Sequence, residues 1–271
     1  MKTAVVVTTY NRPDALEAVL AGFSDQSVID FELLIADDGS GDETRKLVAD
    51  FATRSRFPVH HVWQEDRGFR AGAARNRALT QTRAEYVIFS DGDCVPPPFF
   101  VERHRALAEH SHFLSGNRIL LSRSYTAQLL AQRVPIHRIP TLRWLLAWMR
   151  QDVNRALPLM RLPDSALRKR HAQRWHGVKT CNFSAWRRDL VRVNGFDERY
   201  SGWGLEDSDL VIRLLHAGVR HKSARFAAPV FHLWHPENDR AQLAENRVRL
   251  DEIIASDRVT AALGLDQHSP V

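Results

Sequence analysis

Residues 86–97 read YVIFSDGDCVPP, and this stretch decides the fold. Residues 86–90 form a short apolar run that indicates a buried strand. The strand leads into a turn with two carboxylates, Asp91 and Asp93, separated by a glycine that permits a ligand to approach the backbone. Two like charges this close repel each other unless a cation lies between them, so the turn predicts a ligand.

Strand and helix patterns alternate before this stretch. The apolar runs and turn residues predict strands at 4–9, 31–36, 59–63 and 86–90, and helices at 14–24, 43–52 and 71–82. This alternation implies an α/β fold with a parallel sheet and helices on both faces. Ligands of such sheets bind beyond the carboxyl ends of the strands. The candidates there are Tyr10, Asn11, Arg12, Asp37, Asp38, Asp91 and Asp93.

A divalent cation is the simplest ligand for Asp91 and Asp93, and Mg²⁺ or Mn²⁺ suits carboxylate and phosphate oxygens. The alternative is a solvated turn whose aspartates cap the next helix. At the end of the preceding predicted strand, a turn that leads into a helix N-cap would account for one of the two carboxylates of Asp37 and Asp38. Asp38 then remains available to bind a base or a ribose.

The stretch GFRAGAARNRAL, residues 68–79, places arginines and small residues at a predicted helix start. Amide groups and positive charge at such a start favour a diphosphate, which makes Arg75 a candidate. The alternative for Arg75 is an exposed helix arginine. Neither G-x-G-x-x-G nor G-x-x-x-x-G-K-[ST] occurs, which argues against a dinucleotide fold and a P-loop.

Residues 202–209 read GWGLEDSD, a tryptophan between glycines followed by three acids. One acid is a candidate base for a hydroxyl, and Trp203 offers an apolar face to a sugar ring. The alternative is a helix start whose acids favour the helix dipole. Further along, His232 and His235 in FHLWHPE are candidates for a further metal ligand, although histidine pairs are also common as structural or exposed residues.

The chain has 271 residues and a net charge of +6, but its basicity is local. Residues 122–178 contain 11 Lys and Arg against 2 Asp and Glu, while the rest of the chain is net acidic. Neither a secretory leader nor a spanning segment is visible, so we expect a cytoplasmic protein, peripheral on a membrane at most. The two cysteines form no metal-type spacing and predict two free thiols in a reducing compartment.

The basic segment reads as Arg-rich helix with four prolines. The apolar pattern predicts that one helical face of this segment packs against the rest of the protein. This face consists of Leu142, Leu145, Leu146, Met149 and Val153. Trp144 and Trp148 then point outward among arginines. Such a surface suits anionic lipid or an anionic, lipid-linked acceptor; alternatively, these tryptophans pack under another helix. Nucleic acid fits poorly because no binding module accompanies the charge.

The remaining pattern predicts a helix at 207–217, a strand at 226–231 and a C-terminal helix at 238–263.

Taken together, these stretches resemble the inverting glycosyltransferases of family 2 with the GT-A fold, a Rossmann-like nucleotide-binding sheet. The resemblance is carried by VVVTTYNRPDALEAVLAGFSDQ, FELLIADDGSGDET, GAARNRAL and EYVIFSDGDCVPP, in that order. NGFDERYSGWGLEDSDLVIRLLHAG is similar to the C-terminal module of β-1,4-galactosyltransferases and bacterial chondroitin polymerases. Leu205 stands where the galactosyltransferases usually have glycine.

The resemblance implies a role for each matching position. Nucleotide contacts are implied for Thr8, Tyr10, Arg12, Asp38, Arg75 and Asp91. Asp93 is implied as the metal ligand, with Asp91 beside it and His232 or His235 as a further ligand. Asp207 is implied as the general base, and Glu206 and Trp203 as acceptor contacts. The implied donor is a nucleotide sugar, with a UDP-sugar favoured, and the implied cofactor is Mn²⁺ or Mg²⁺.

These roles divide the chain into a nucleotide-sugar-binding half (1–121), a basic helical insertion (122–176) and an acceptor-binding, catalytic half (177–271). The expected function is sugar transfer to a glycan or lipid-linked acceptor in bacterial surface polysaccharide synthesis. Two alternatives remain: a sugar-phosphate nucleotidyltransferase, and a non-catalytic glycan- or lipid-binding protein on the same scaffold.

Overall fold

Strands and helices alternate through the first ninety residues, as predicted. The computed structural model describes residues 1–237 and 239–268. Its strands are β1 Thr3–Thr9, β2 Phe31–Asp37, β3 Val59–Trp63, β4 Tyr86–Asp91, β5 Cys94–Val95, β6 His112–Ser115, β7 Arg118–Leu120, β8 Asn182–Trp186, β9 Arg220–Ser223 and β10 Val230–His232. Its α-helices are α1 Pro13–Ser24, α2 Asp42–Arg54, α3 Ala71–Thr80, α4 Phe100–Leu107, α5 Arg123–Ala131, α6 Thr141–Met149, α7 Arg187–Arg192, α8 Glu206–His216 and α9 Leu243–Ile254.

The central sheet has seven strands in the order β3-β2-β1-β4-β8-β6-β9. Strands β1 to β4 pair in parallel, which confirms the predicted arrangement for the first half of the chain. Strand β8 then pairs antiparallel with both β4 and β6, so the sheet as a whole is mixed.

Strand β1 shows why this sheet is covered on both sides. Val5 and Val7 belong to one apolar core with α1, whereas Ala4 and Val6 face a second core with α3 and α8. Successive side chains of a strand point to opposite faces, so a continuous apolar run is buried on both.

A second sheet, of order β5-β10-β7, lies beside the carboxyl end of β4. In it, His232 of β10 pairs with Cys94 of β5, the residue that follows Asp93. This pairing brings the histidine stretch next to the D-x-D turn, across about 140 residues of sequence.

The prediction for the basic segment was wrong about which face of α6 is buried. Trp144 is only 1% exposed, and its ring stacks on Phe231 at 4.2 Å with an interplanar angle of 8°. Trp148 is 50% exposed, in agreement with its predicted outward direction. Leu142, Leu145, Leu146 and Met149 are also exposed, and of the predicted inward face only Val153 is buried. The large flat tryptophan fits against Phe231 and therefore turns the leucines outward.

The helices and strands after residue 200 differ from their predictions mostly in length. The helix predicted at 207–217 is confirmed as α8, within one residue at each end. The strand predicted at 226–231 is shorter because Phe226 has a positive φ of 58°, which interrupts extended backbone. The C-terminal helix is limited to Leu243–Ile254, and its predicted first residue, 238, lies outside the described residues. Beyond it the chain leaves the helix, and Ala261 N–H donates to the carbonyl of Val193.

Candidate active site

The carboxyl ends of three parallel strands meet at one cleft. Thr8 of β1 pairs with Ala36 of β2 and with Asp91 of β4, so the residues that follow these strands lie side by side. The cleft contains a cavity of about 510 Å³. All twelve predicted site residues line it: Thr8, Tyr10, Arg12, Asp38, Arg75, Asp91, Asp93, Trp203, Glu206, Asp207, His232 and His235.

Asp37 and Asp38 at the end of β2 have different roles. Asp37 accepts hydrogen bonds from Ser40 N–H at 2.8 Å and from His61 Nε2 at 2.7 Å, so it holds the turn. Asp38 accepts from Gln64 Nε2 at 2.6 Å and from Arg70 N–H at 2.7 Å. Burial raises the pKa of Asp38, although these donors oppose the shift. Its carboxylate faces the cavity with unused lone pairs, as a contact to a base or ribose requires.

Tyr10 and Arg12 form the outer edge of this end of the cavity. Tyr10 is half-exposed, and its hydroxyl donates to Asp66 at 2.9 Å, which is the main reason why the pKa of Tyr10 is raised. Arg12 pairs with Asp14 of α1 at 2.9 Å. A flat aromatic ring at the rim can lie against a nucleoside.

Arg75 lies at the centre of the cavity wall, and the alternative of an exposed helix arginine is wrong. Its side chain is 5% exposed, and Nε donates to Thr8 Oγ1 at 2.9 Å. Nη2 donates to Asp91 Oδ1 at 3.0 Å, and Nη1 lies 3.6 Å from Glu206 and 3.7 Å from Asp207. Burial opposes its charge, but the three carboxylates outweigh burial and raise the pKa of Arg75.

Gly92, between the two aspartates, is required for a reason that the sequence did not indicate. A Cβ at this position would lie 2.8 Å from Thr9 Oγ1, and Gly92 N–H donates to Thr8 carbonyl at 2.7 Å. The glycine therefore lets the D-x-D turn pack against β1, rather than making room for a ligand. Burial, Asp93 and Asp207 together raise the pKa of Asp91 despite its pairing with Arg75.

Asp93 is the residue on which the possible metal ligands converge. His232 Nε2 lies 3.8 Å from Asp93 Oδ1, and His235 Nε2 lies 3.5 Å from Oδ2. Donor atoms on one metal ion at about 2.0–2.2 Å each can be at most about 4.4 Å apart, so these spacings fit a shared ion. Asp93, Cys94 and His232 also bring one donor atom each within 4.8 Å of one another.

The chemistry of the two histidines supports metal binding. His235 Nδ1 lies 2.6 Å from the carbonyl of Pro236, which can only accept, so Nδ1 carries a proton; in the neutral ring this leaves the lone pair on Nε2, 3.5 Å from Asp93 Oδ2. Burial lowers the pKa of His232 and keeps it neutral. Cys94 and Cys181 are buried free thiols, as predicted, and burial raises the pKa of Cys94 well above its usual value. A protonated thiol is a poor ligand, so the histidines suit the ion better.

Glu206 and Asp207 begin α8 on the opposite wall. Asp207 Oδ1 accepts a hydrogen bond from the hydroxyl of Thr180, which precedes β8. Burial and the neighbouring Asp207 raise the pKa of Glu206. Leu205, just before the helix, has a φ of 79°, a left-handed conformation that suits glycine. This strained position is the one where the galactosyltransferases usually have glycine.

Trp203 and some unpredicted residues complete the cavity. The guanidinium of Arg240 lies 5.2 Å from the centre of the Trp203 ring. Phe69, Arg118, Lys179 and Cys181 also line the cavity. No local pattern marks these four, because long-range pairing of β7 and β8 brings three of them there. None of the described helices combines the length and apolarity needed to cross a membrane.

Two protein families match this chain. Glycosyl transferase family 2 matches residues 4–188, and the N-terminal domain of galactosyltransferase matches residues 164–236. Together the two matches include all twelve predicted site residues.

Two characterised relatives are similar over most of this chain. Validoxylamine A glucosyltransferase of Streptomyces hygroscopicus subsp. jinggangensis is 31% identical over 80% of this chain and 52% of its own length. Chondroitin synthase of Escherichia coli is 29% identical over 88% of this chain and 36% of the synthase. The chain thus spans roughly half of the first relative and a third of the second.

Solved structures share the fold. Residues 1–349 of S. aureus TarS, solved in complex with UDP-GlcNAc, have a TM-score of 0.62 at 16% identity, over 98% of this chain and 69% of that one. The mannosyltransferase PcManGT of Pyrobaculum calidifontis, solved with GDP-Man and Mn²⁺, has a TM-score of 0.59 at 17% identity, over 94% of this chain and 62% of that one. These likenesses confirm the predicted GT-A fold. Because the family match includes more than half of its residues, the chain belongs to glycosyl transferase family 2.

Proposed function

We propose that this chain is an inverting, metal-dependent glycosyltransferase. It moves a sugar from a nucleotide-diphosphate sugar to a hydroxyl of a glycan or lipid-linked acceptor. The observation that carries the proposal is the single cavity in which Arg75 connects Asp91 of the D-x-D turn with Glu206 and Asp207. A nucleotidyltransferase has no need of a second acid pair opposite its metal site.

The donor binds along the strand ends. Asp38 accepts a hydrogen bond from the base or ribose, and Tyr10 lies against the nucleoside. Thr8, Arg12 and Arg75 contact the nucleotide or its diphosphate. A UDP-sugar is the favoured donor, supported by the likeness to TarS, which was solved with UDP and with UDP-GlcNAc.

Asp93, Asp91 and one or both of His232 and His235 would hold Mn²⁺ or Mg²⁺. The ion, when bound, neutralises charge on the leaving nucleoside diphosphate and fixes its orientation. PcManGT, which shares the fold, was solved with Mn²⁺. The protein's own part is to bring Nε2 of His232 to 3.8 Å and Nε2 of His235 to 3.5 Å from a carboxylate oxygen of Asp93, so that they can share one ion.

Asp207 acts as the general base. Thr180 donates to one of its oxygens and fixes the carboxylate, which takes the proton from the acceptor hydroxyl. The deprotonated oxygen attacks the anomeric carbon on the face opposite the nucleotide, and the bond to the diphosphate breaks in the same step. This single displacement inverts the anomeric centre. Glu206 binds the acceptor, and Trp203 lies against its ring.

The donor-side residues before 121 and the acceptor-side residues after 177 support the division into 1–121, 122–176 and 177–271. We place the reaction in bacterial surface polysaccharide synthesis, which the similarity to chondroitin synthase supports.

We also propose that the protein contacts a membrane through α6. The exposed side chains of Leu142, Leu145, Trp148 and Met149 stand beside the exposed Arg143 and Arg150, an arrangement that suits anionic headgroups. Sedimentation with phosphatidylglycerol vesicles at low salt tests this contact. Binding that is lost in Trp148→Ala supports it, and an absence of binding by the unmodified protein contradicts it.

A panel of nucleotide sugars incubated with the protein and Mn²⁺ tests the reaction itself. Release of a nucleoside diphosphate from one sugar donor, by slow transfer to water, is the expected product. Pyrophosphate release from a nucleoside triphosphate and a sugar phosphate would instead identify a nucleotidyltransferase. Binding without turnover, with any acceptor offered, would favour the non-catalytic alternative.

A further inference from the structure

A second cavity, of about 540 Å³, adjoins the active site. Its walls come from the turn between β6 and β7, from the second half of the basic segment, and from β9 with the residues that follow it. Arg118, Lys179 and Cys181 line both cavities, so these three residues form a neck between them. We call this second space the basic cavity.

The lining of the basic cavity is strongly positive. Six cationic side chains contribute to it, and no carboxylate does so within the described residues: Arg118, Arg155, Arg168, Arg174, Lys179 and Arg225. Arg168 lies 3.9 Å from Asp164, but the other five have no carboxylate within 4.0 Å throughout residues 1–237 and 239–268. The buried cations Arg75, Arg213 and Lys222 each have one. Placing cations together without a counter-charge is unfavourable unless an anion binds among them.

The cations are close enough to affect one another. Burial lowers the pKa of Arg225, and the charges of Arg174 and Arg155 lower it further. Asp164 lies 3.9 Å from Arg168, but it is also paired with Lys222 at 2.8 Å. Among the described residues, no carboxylate lies within 4.0 Å of Arg155, Arg174 or Arg225 to balance their charges.

The wall is preformed. Arg168 is buried, and its guanidinium donates to the carbonyls of Leu162, Pro163, Ser223 and Arg225 at 2.7–3.0 Å. These bonds fix the basic segment to the residues around β9. A cavity held open in this way loses little conformational entropy when it binds a ligand.

We propose that the basic cavity binds a phosphate group of the acceptor, most simply a diphosphate. Arg118 and Lys179 at the neck align the adjoining sugar so that its hydroxyl reaches Asp207. This inference rests on the proposed function, because it names the acceptor class of the same site. Phosphate is favoured over the carboxylate of an acidic sugar because six cations around one cavity exceed the charge of one carboxylate, and guanidinium groups pair with phosphate oxygens in twos.

Calorimetric titration with inorganic pyrophosphate in EDTA tests the site. Without a metal ion, the acids Asp91, Asp93, Glu206 and Asp207 disfavour an anion in the donor cavity, so binding reports on the basic cavity. Arg155→Gln and Arg225→Gln should each weaken pyrophosphate binding by about tenfold, the loss typical of one charged hydrogen bond. Arg83→Gln is the matched control, because Arg83 is exposed and lines neither cavity.

The other outcomes separate this inference from the proposed function. UDP binding in the presence of Mn²⁺ should be the same in Arg155→Gln and Arg225→Gln as in the unmodified protein. If the unmodified protein does not bind UDP, that result would count against the donor site alone. Failure of pyrophosphate to bind the unmodified protein, or binding by both variants that is as tight as binding by the unmodified protein, would overturn the phosphate site. Binding of glucuronate but not of pyrophosphate would assign the cavity to an acidic sugar and would also overturn it.

Discussion

The guanidinium of Arg75 donates to the carboxylate of Asp91 at 3.0 Å, so a residue of α3 is paired with the first acid of the D-x-D turn. Its other terminal nitrogen, Nη1, is buried, has no hydrogen-bond partner among the described residues, and lies 3.6 Å from Glu206 and 3.7 Å from Asp207. One cation thus lies between Asp91 of the D-x-D turn and the two acids that begin α8. The positive charge of Arg75 therefore reduces the repulsion between Asp91 and the two acids of α8 before any ligand binds.

Asp207→Asn should reduce the rate of transfer by about 10²- to 10⁴-fold, because the amide cannot accept the proton from the acceptor hydroxyl. Nucleotide binding should persist, since Asp207 is not among the proposed donor contacts. Steady-state turnover and UDP titration measure the two effects, with Asp50→Asn on the exposed face of α2 as the control. Turnover near that of the unmodified protein would remove Asp207 from the mechanism.

His232→Ala and His235→Ala identify the nitrogen ligand of the metal. A lost ligand should weaken Mn²⁺ binding by at least about tenfold, since changes just outside a metal's ligand shell already cost 10- to 100-fold. Mn²⁺ titration by electron paramagnetic resonance measures this, and the exposed His60→Ala is the control. If neither variant changes the affinity, Asp93 binds the ion without histidine.

Trp144→Ala should destabilise the protein by about 3–5 kcal/mol, because it removes a buried indole stacked on Phe231. Trp148→Ala, one helical turn away and half-exposed, should change the free energy of unfolding by no more than about 0.5 kcal/mol. Urea unfolding of both variants gives the comparison. Equal effects would contradict the packing of α6.

Glu109 should contribute stability that depends on pH. It pairs with Lys169 at 2.9 Å and with Lys222 at 3.1 Å, which lowers its pKa from 4.5 to about 2. A lowered pKa means that the contribution is complete above pH 4.5 and is lost as the pH falls toward 2. The melting temperature of Glu109→Gln should therefore lie below that of the unmodified protein at pH 6 and approach it in acid. A difference that does not depend on pH would contradict this pairing.

The sequence predicted the first four strands of the fold well. Strands β1, β2 and β4 are mostly apolar runs of six or seven residues, and the ends of all four strands lie within about two residues of prediction. Most of the site residues could be predicted because they lie at the end of one of these strands or at the start of α8; Arg75 lies on α3, and His232 and His235 lie at and after β10. Their meeting in one cavity then results from the parallel register of the strands.

Other features of the structure could not be predicted, because they depend on residues that are far apart in the sequence. The two-residue strand β5 has too little pattern to be recognised, and the strand predicted at 226–231 only overlaps β10, yet the pairing of β5 with β10 brings His232 to Asp93. The direction of Trp144 depends on Phe231, 87 residues away, and not on periodicity within α6. The basic cavity joins side chains from several elements between Ser115 and Phe226, so only the fold reveals it.

Calorimetric titration of UDP tests the central claim, that this cavity holds a metal-bound nucleotide donor. The unmodified protein should bind UDP in Mn²⁺ and lose that binding in EDTA. Asp93→Ala should bind equally weakly in both, while Glu237→Gln, an exposed acid at the same cavity, should behave like the unmodified protein. UDP binding that is equally strong with and without metal, or that Asp93→Ala retains with full metal dependence, would contradict the account.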